Sequence, residues 1–212
     1  NQRGATNVPS PNSSWSVETS LDTETLYGLY PGCHLSIIEA SSPDITDLTA
    51  AVDTTVRNGA TIVSNSYGGP EFATETTLDS HYARPGATMD VSSGDNGYGT
   101  NYPAASRHVV AVGGTSLQLN RGRVSSETTW AGAGSGCSLY EPKSAWQRDT
   151  RCSRRTIADL AADADPQTGA AIYDSYGSNG RGWLTLCGTS LAAPLVSGLL
   201  ASSGRAGIGP SR

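Results

Sequence analysis

The sequence predicts an α/β fold built on a mostly parallel central sheet, and three observations carry the prediction. Helical and extended segments alternate along the first half of the chain, in the rhythm of βαβ units. Residues 44–57 place Ile45, Leu48, Val52 and Val56 at helical spacing, with Pro43 suited to a first turn. Short apolar or β-prone runs follow at 61–66, 87–92 and 108–112, bounded by turn residues.

Taken in order, the elements begin with a helix near 17–29, a strand at 34–39 and the helix at 44–57. A strand at 61–66 leads to a helical segment around 73–83, which ends before Arg84-Pro85-Gly86. Strands at 87–92 and 108–112 continue the parallel pattern. The stretches 116–130 and 170–187 are expected to be hairpins, broken by Gly122 and by the glycine-rich run from Gly177 to Gly182. A last helix starts at Ser190 and runs to Leu200, with Pro194 early enough to be tolerated.

The 212 residues, 36% of them hydrophobic, suffice for one sizeable core. A net charge of -5 and the lack of interleaved basic and aromatic residues argue against a nucleic-acid partner. Arg148, Arg151, Arg154 and Arg155 cluster, but Asp149 and Asp159 lie among them, so a solvated loop is expected. No repeat is visible, and no stretch is long and apolar enough to cross a membrane. Residues 1–14 are polar and carry no signal segment, which suggests a processed form or a fragment.

Chemistry concentrates at Gly188-Thr189-Ser190-Leu191-Ala192-Ala193-Pro194, where a serine stands between a tight turn and an apolar helix. Unpaired N–H groups and the helix dipole would stabilise an oxyanion there, so Ser190 is a candidate nucleophile for acyl transfer. The plain alternative is that Thr189 or Ser190 only caps the helix. A nucleophile needs a base, and His34, His81 and His108 all lie in settings that suit structural or surface roles. Glu18 and Asp22, four residues apart, share one face of a helix and could hold one carboxyl near a useful pKa, although such a pair is also an ordinary acidic face. Asp95 lies in Ser93-Gly94-Asp95-Asn96-Gly97 after a predicted strand, where open α/β sheets place their sites and where turn chemistry alone also explains it.

These segments together resemble the sedolisins, the serine-carboxyl peptidase relatives of the subtilisins, and most closely secreted bacterial members. The matching motifs, in order, are Glu18-x-x-x-Asp22, Ser64-Asn65-Ser66-Tyr67-Gly68-Gly69, Ser93-Gly94-Asp95-Asn96-Gly97, Tyr102-Pro103-Ala104-Ala105-Ser106, Val112-Gly113-Gly114-Thr115, Ala164-Asp165-Pro166-x-Thr168-Gly169 and Gly188-Thr189-Ser190. The resemblance implies a subtilisin-like three-layer fold, truncated here at both ends. Residues 15–203 would form an incomplete catalytic domain, between the polar 1–14 segment and a flexible tail at 204–212.

The resemblance further implies a serine-type endopeptidase that hydrolyses extended or unfolded polypeptides at acidic pH. Ser190 would attack, Glu18 would act as general base and Asp22 would hold Glu18. Asp95, protonated, would join the Ser190 N–H in the oxyanion hole. Ser64, Asn65, Ser66, Tyr67 and Gly68 would form the edge to which a substrate strand adds. Polypeptides are then the expected partners of a secreted monomer, with a prodomain in a longer precursor and no membrane or nucleic-acid contact. Calcium is implied by the family, but the segment that would bind it is absent, so no cofactor is assignable and no metal ligand is named. Asp163, Asp165 and Asp174 are explained by turns. The alternatives are a catalytically silent or truncated relative that only binds peptides, and an ordinary histidine-dependent enzyme, for which no suitable histidine motif exists.

Cys137 and Cys152 flank an expected surface loop at 138–151, and a disulfide between them would stabilise the fold by roughly 3 kcal/mol through loop closure. For Cys33 and Cys187 the sequence leaves open whether they pair or stay free buried thiols, and neither is a catalytic candidate. Cys187 stands where the family usually has a small residue, three before Ser190.

Overall fold

The computed structural model describes residues 1–176 and 182–204. Apart from Gly204 the expected flexible tail lies outside the described residues, as does Gly177 of the expected hairpin break. In chain order the elements are α1 (Ser13–Leu29), α2 (Ile45–Arg57), β1 (Ile62–Asn65), β2 (Gly69–Pro70), a 3₁₀ turn (Glu75–Leu78), α3 (Asp79–Tyr82), β3 (Thr88–Ser92) and β4 (Asn101–Tyr102). They continue as β5 (Val110–Asn120), β6 (Arg123–Thr129), β7 (Gly136–Pro142), β8 (Arg154–Ile157), β9 (Leu160–Asp163), β10 (Ala170–Asp174), β11 (Gly182–Leu186) and α4 (Thr189–Ser202).

Strands β1, β3 and β5 pair in parallel, with Asn65 opposite Val91 and Asp90 opposite Val110. β9 joins β5 in parallel through Val112 and Leu160, while β6 folds back antiparallel on the outer half of β5. The expected strand at 108–112 and the first arm of the expected hairpin at 116–130 are therefore one continuous strand. Two-stranded ladders β2–β4, β7–β8 and β10–β11 surround this sheet, the last being the expected second hairpin.

Successive strand residues point to opposite faces, and Ala111 and Val112 accordingly enter different core clusters. The first cluster joins Val52 of α2 to Val63, Met89 and Val91. The second packs Ala192, Ala193 and Val196 of α4 against Val112. Helices thus cover both faces, giving three layers. A third cluster of Leu21, Ile172 and Leu191 ties α1, β10 and α4 together. The helices α1 and α4 approach closely because residue 198 is glycine: a Cβ there would meet Leu29 Cβ at 3.0 Å.

Four local expectations are corrected. Residues 34–39 form no strand. They line the same cavity as β1 without entering its ladder, and Leu35 and Ile37 remain 41% and 54% exposed, so neither ladder bonds nor a covering layer hold them extended. The segment at 73–83 is a 3₁₀ turn followed by one turn of α-helix, not a single helix. Only the first part of the expected surface loop at 138–151 differs: residues 138–142 belong to β7, with Ser138 and Glu141 buried, and 143–151 form neither strand nor helix. Arg155 is fully buried rather than solvated, because Asp159 neutralises it within the fold.

Candidate active site

The first turn of α4 is held by a glycine turn and one carboxylate. Gly188 has φ 93° and ψ 174°, a conformation essentially reserved for glycine, and a Cβ on it would lie 2.4 Å from Asp95 Oδ2. Asp95 Oδ1 accepts the Thr189 N–H at 2.7 Å and the Thr189 hydroxyl at 2.8 Å. The same hydroxyl accepts the Gly94 N–H at 3.0 Å. The loop after β3 is thereby pinned to the start of α4, with Asp95 exposed beside Ser190.

Glu18 and Asp22 reach this point from α1. Asn12 starts that helix, its Oδ1 accepting from the N–H groups of Ser14 at 3.0 Å and Trp15 at 3.1 Å, so α1 begins four residues earlier than the expected 17–29 helix. Its opposite face is fastened to the β10–β11 hairpin. Buried Asp174 accepts from Ser16 at 2.8 Å and Ser20 at 3.2 Å, and Glu24 accepts the Tyr173 N–H at 3.1 Å. Residues two apart on a helix point roughly opposite ways, so anchoring 16, 20 and 24 aims 18 and 22 at α4. Asp174 is therefore more than the turn residue expected.

Burial pushes the Glu18 carboxyl above its ordinary value, the Ser190 hydroxyl draws it back by hydrogen bonding, and the charge of Asp95 adds to the rise. Asp22 is pushed up to about 8 by burial and by Glu18, against a hydrogen bond from Ser66 at 2.6 Å. Pro194 removes the N–H that would have bonded the Ser190 carbonyl, and Ser66 Oγ approaches that freed oxygen at 3.5 Å. No histidine joins the group. His34 is exposed, His81 pairs with Asp53 at 2.9 Å and His108 faces Asp79 at 4.0 Å.

Beside Glu18 lies a cavity of about 430 Å³, lined by Ser66, Tyr67, Gly68 and Gly69 and by the apolar side chains of Trp15, Ile45, Leu48, Phe72 and Tyr102. Ser64 and Asn65 do not line it. The Asn65 amide turns into the sheet, donating to the carbonyls of Val63 and Asp90, both at 3.2 Å, and accepts the Tyr67 hydroxyl at 3.0 Å. Cys137 and Cys152 form a disulfide, while Cys33 and Cys187 are free and half-buried. Burial, then Asp95, Asp165 and Asp163, push the Cys187 thiol up. Among the described residues no group of three or more His, Cys, Asp or Glu side chains could hold a metal ion.

The chain matches the pattern of the Subtilase family over residues 10–205. The structure of Pseudomonas sedolisin, a serine-carboxyl proteinase complexed with pseudo-iodotyrostatin, aligns with a TM-score of 0.83 and 31% identity, covering 98% of this chain and 67% of that one. The chain belongs to the sedolisin family. It is 32% identical over 236 residues to kumamolisin of Bacillus sp. (strain MN-32), covering 93% of this chain and 41% of kumamolisin. It is likewise 32% identical over 224 residues to sedolisin of Pseudomonas sp. (strain 101), covering 87% of this chain and 37% of that protein. It thus spans less than half the length of these relatives. Sedolisin membership establishes the subtilisin-like fold and accounts for the sheet flanked by helices.

Sequence reasoning missed Thr189 as the bridge between Gly94 and Asp95, and Asp174 as the anchor of α1. Only the Ser16–Ser20 spacing hinted at the anchor, and nothing local paired it with a residue 158 positions away.

Proposed function

We propose that this chain is the catalytic core of a serine-carboxyl endopeptidase that cleaves extended or unfolded polypeptides in acid. The observation that carries the reading is the Glu18 carboxyl on the Ser190 hydroxyl, with Asp22 one helical turn behind it. Ser190 attacks the scissile carbonyl and Glu18, as carboxylate, takes its proton and later returns it to the leaving amine. Asp22, held by Ser66, is the positioning residue for Glu18. The developing oxyanion lies at the α4 N-terminus, where the Ser190 N–H donates. Asp95 Oδ1 is occupied by Thr189, so Asp95 donates to the oxyanion by carrying a proton on Oδ2, a requirement that favours acid.

An extended peptide runs along 66–70 and places one side chain in the apolar cavity beside Glu18. The sedolisin family implies calcium, but the described residues offer no cluster suited to it, and no step is routed through a metal. Family membership also supports a secreted monomer released from a longer precursor with a prodomain. No described helix is long and apolar enough to cross a membrane.

Hydrolysis of a denatured protein across roughly pH 3 to 8, a range spanning carboxylate and histidine titration, tests the reading beside the Ser190→Ala chain. Acid-optimal cleavage that vanishes in Ser190→Ala and falls at least about 100-fold in Glu18→Gln supports it. Peptide binding without turnover at any pH overturns it in favour of a silent relative.

A further inference from the structure

Away from Ser190, four carboxyl groups from separate segments meet: Glu71 after β2, Glu75 in the 3₁₀ turn, Asp79 opening α3 and Glu141 on β7. Glu75 and Glu141 are 0% exposed and Asp79 is 9% exposed, and acidic side chains are seldom so buried without partners. Glu71 has its partners: the hydroxyls of Ser138 and Thr100 donate to it, as does the Leu139 N–H at 3.1 Å. Burial pushes Glu71 up, but these donors outweigh it and hold the carboxyl below its ordinary value.

The other groups are less fully supplied with donors. Glu75 Oε2 accepts the Phe72 N–H at 2.7 Å, whereas Oε1 has no partner and the carboxyl lies within hydrogen-bonding reach of Glu71. Neither oxygen of Glu141 has a donor, and that carboxyl faces Asp79 at hydrogen-bonding reach. Asp79 accepts the Ser106 hydroxyl at 2.7 Å and stands 3.5 Å from the Tyr102 hydroxyl. Ionised carboxylates only accept, so two in contact leave both unsatisfied unless a proton lies between them.

The surrounding charges do not supply an alternative. His108 is 4.0 Å from Asp79, and burial, opposed by Asp79 and joined by Arg107, lowers its affinity for a proton. Buried Arg155 is engaged by Asp159 and by the Thr156 carbonyl. The hydroxyls of Tyr82 and Tyr102 are held neutral, chiefly by burial, and Tyr67 next to Tyr82 is pushed up to about 12.

We propose that Glu75 and Glu141 each hold a proton, shared with Glu71 and Asp79 respectively, forming a lock that clamps β7 onto segment 69–82 in acid and releases as pH rises. Gly69, Pro70, Phe72 and Tyr102 line the cavity beside Glu18, so release loosens the cavity wall without touching Ser190. Both carboxyls are pushed up to about 8, chiefly by burial. The folded state therefore keeps protons that an unfolded chain releases near about pH 4.3. The lock's contribution is complete below about pH 4 and is lost as pH rises toward 8.

The test compares the unfolding midpoint of the Ser190→Ala chain with that of the same chain carrying Glu75→Gln and Glu141→Gln, between about pH 5 and pH 8.5. Glu18, Asp22 and Asp90 titrate in the same direction and give both chains a common fall. The expected result is a fall smaller by at least about 5 °C in the triple variant. An equal fall overturns the proposal. So does added calcium chloride that raises the midpoint of the parent at neutral pH but not that of the variant, since an ion would then sit between the carboxylates. Should the variant not fold, infrared spectra of Ser190→Ala with Glu18→Gln, Asp22→Asn and Asp90→Asn decide: a protonated-carboxyl stretch persisting at about pH 7 supports the lock, and its absence overturns it.

Discussion

Replacing Gly188 with alanine should unfasten the start of α4. The residue sits at φ 93° and ψ 174°, and forcing a side chain into that region costs about 1–3 kcal/mol by itself. The added methyl would also fall 2.4 Å from Asp95 Oδ2 and 3.1 Å from its Cγ, driving the carboxylate away from Thr189. The N–H and hydroxyl bonds at 2.7 and 2.8 Å would then be lost at a further cost of about 1–2 kcal/mol, kept low because Asp95 is exposed. The expected loss of about 2–5 kcal/mol is a large share of the about 5–15 kcal/mol typical of a domain. Under the proposed mechanism the same shift removes one oxyanion donor, worth about 10²–10³ in kcat. Urea unfolding beside Gly59→Ala isolates the clash, because Gly59 also has positive φ (91°) but open space where a Cβ would be. Gly188→Ala no less stable than Gly59→Ala, with unchanged acid proteolysis, would refute the reasoning.

Asp22→Asn should flatten the pH dependence of stability. The native carboxyl, at about 8, keeps a proton that the unfolded chain has lost, so stability is complete below about pH 4 and declines toward pH 8. Asparagine does not titrate, and melting curves of Ser190→Ala with and without the change should diverge as pH rises. An identical slope would argue against a buried, protonated Asp22. Asp159→Ala should cost about 3–5 kcal/mol in chemical unfolding, since Arg155 is 0% exposed and would keep an uncompensated charge. Adding Arg155→Met should recover part of that loss; no recovery would mean that packing, not charge, dominates there.

Much of the fold was legible locally. The Ile45, Leu48, Val52 and Val56 stripe gave α2 within one residue, because a helical face depends on residues three and four apart. The runs at 61–66 and 87–92 became β1 and β3 for the same local reason. Residues 34–39 look equally strand-like, yet a strand exists only through its neighbour's hydrogen bonds, which the segment does not have in this structure.

Charge was the least legible property. Arg155 and Glu141 look like solvated residues in a polar stretch, but Arg155 is buried against Asp159, four residues on, and the distant Ser106 and Val109 carbonyls, and Glu141 against Asp79. The sequence by itself determined that Glu18 and Asp22 share one face of a helix and that Ser190 opens another, since helical periodicity is set by the backbone. Only the tertiary structure decided that the two faces meet. That required Gly198 to let α1 approach α4, Asp174 to hold the back of α1 and Asp95 to pin the Gly188 turn, three contacts between residues far apart in the chain.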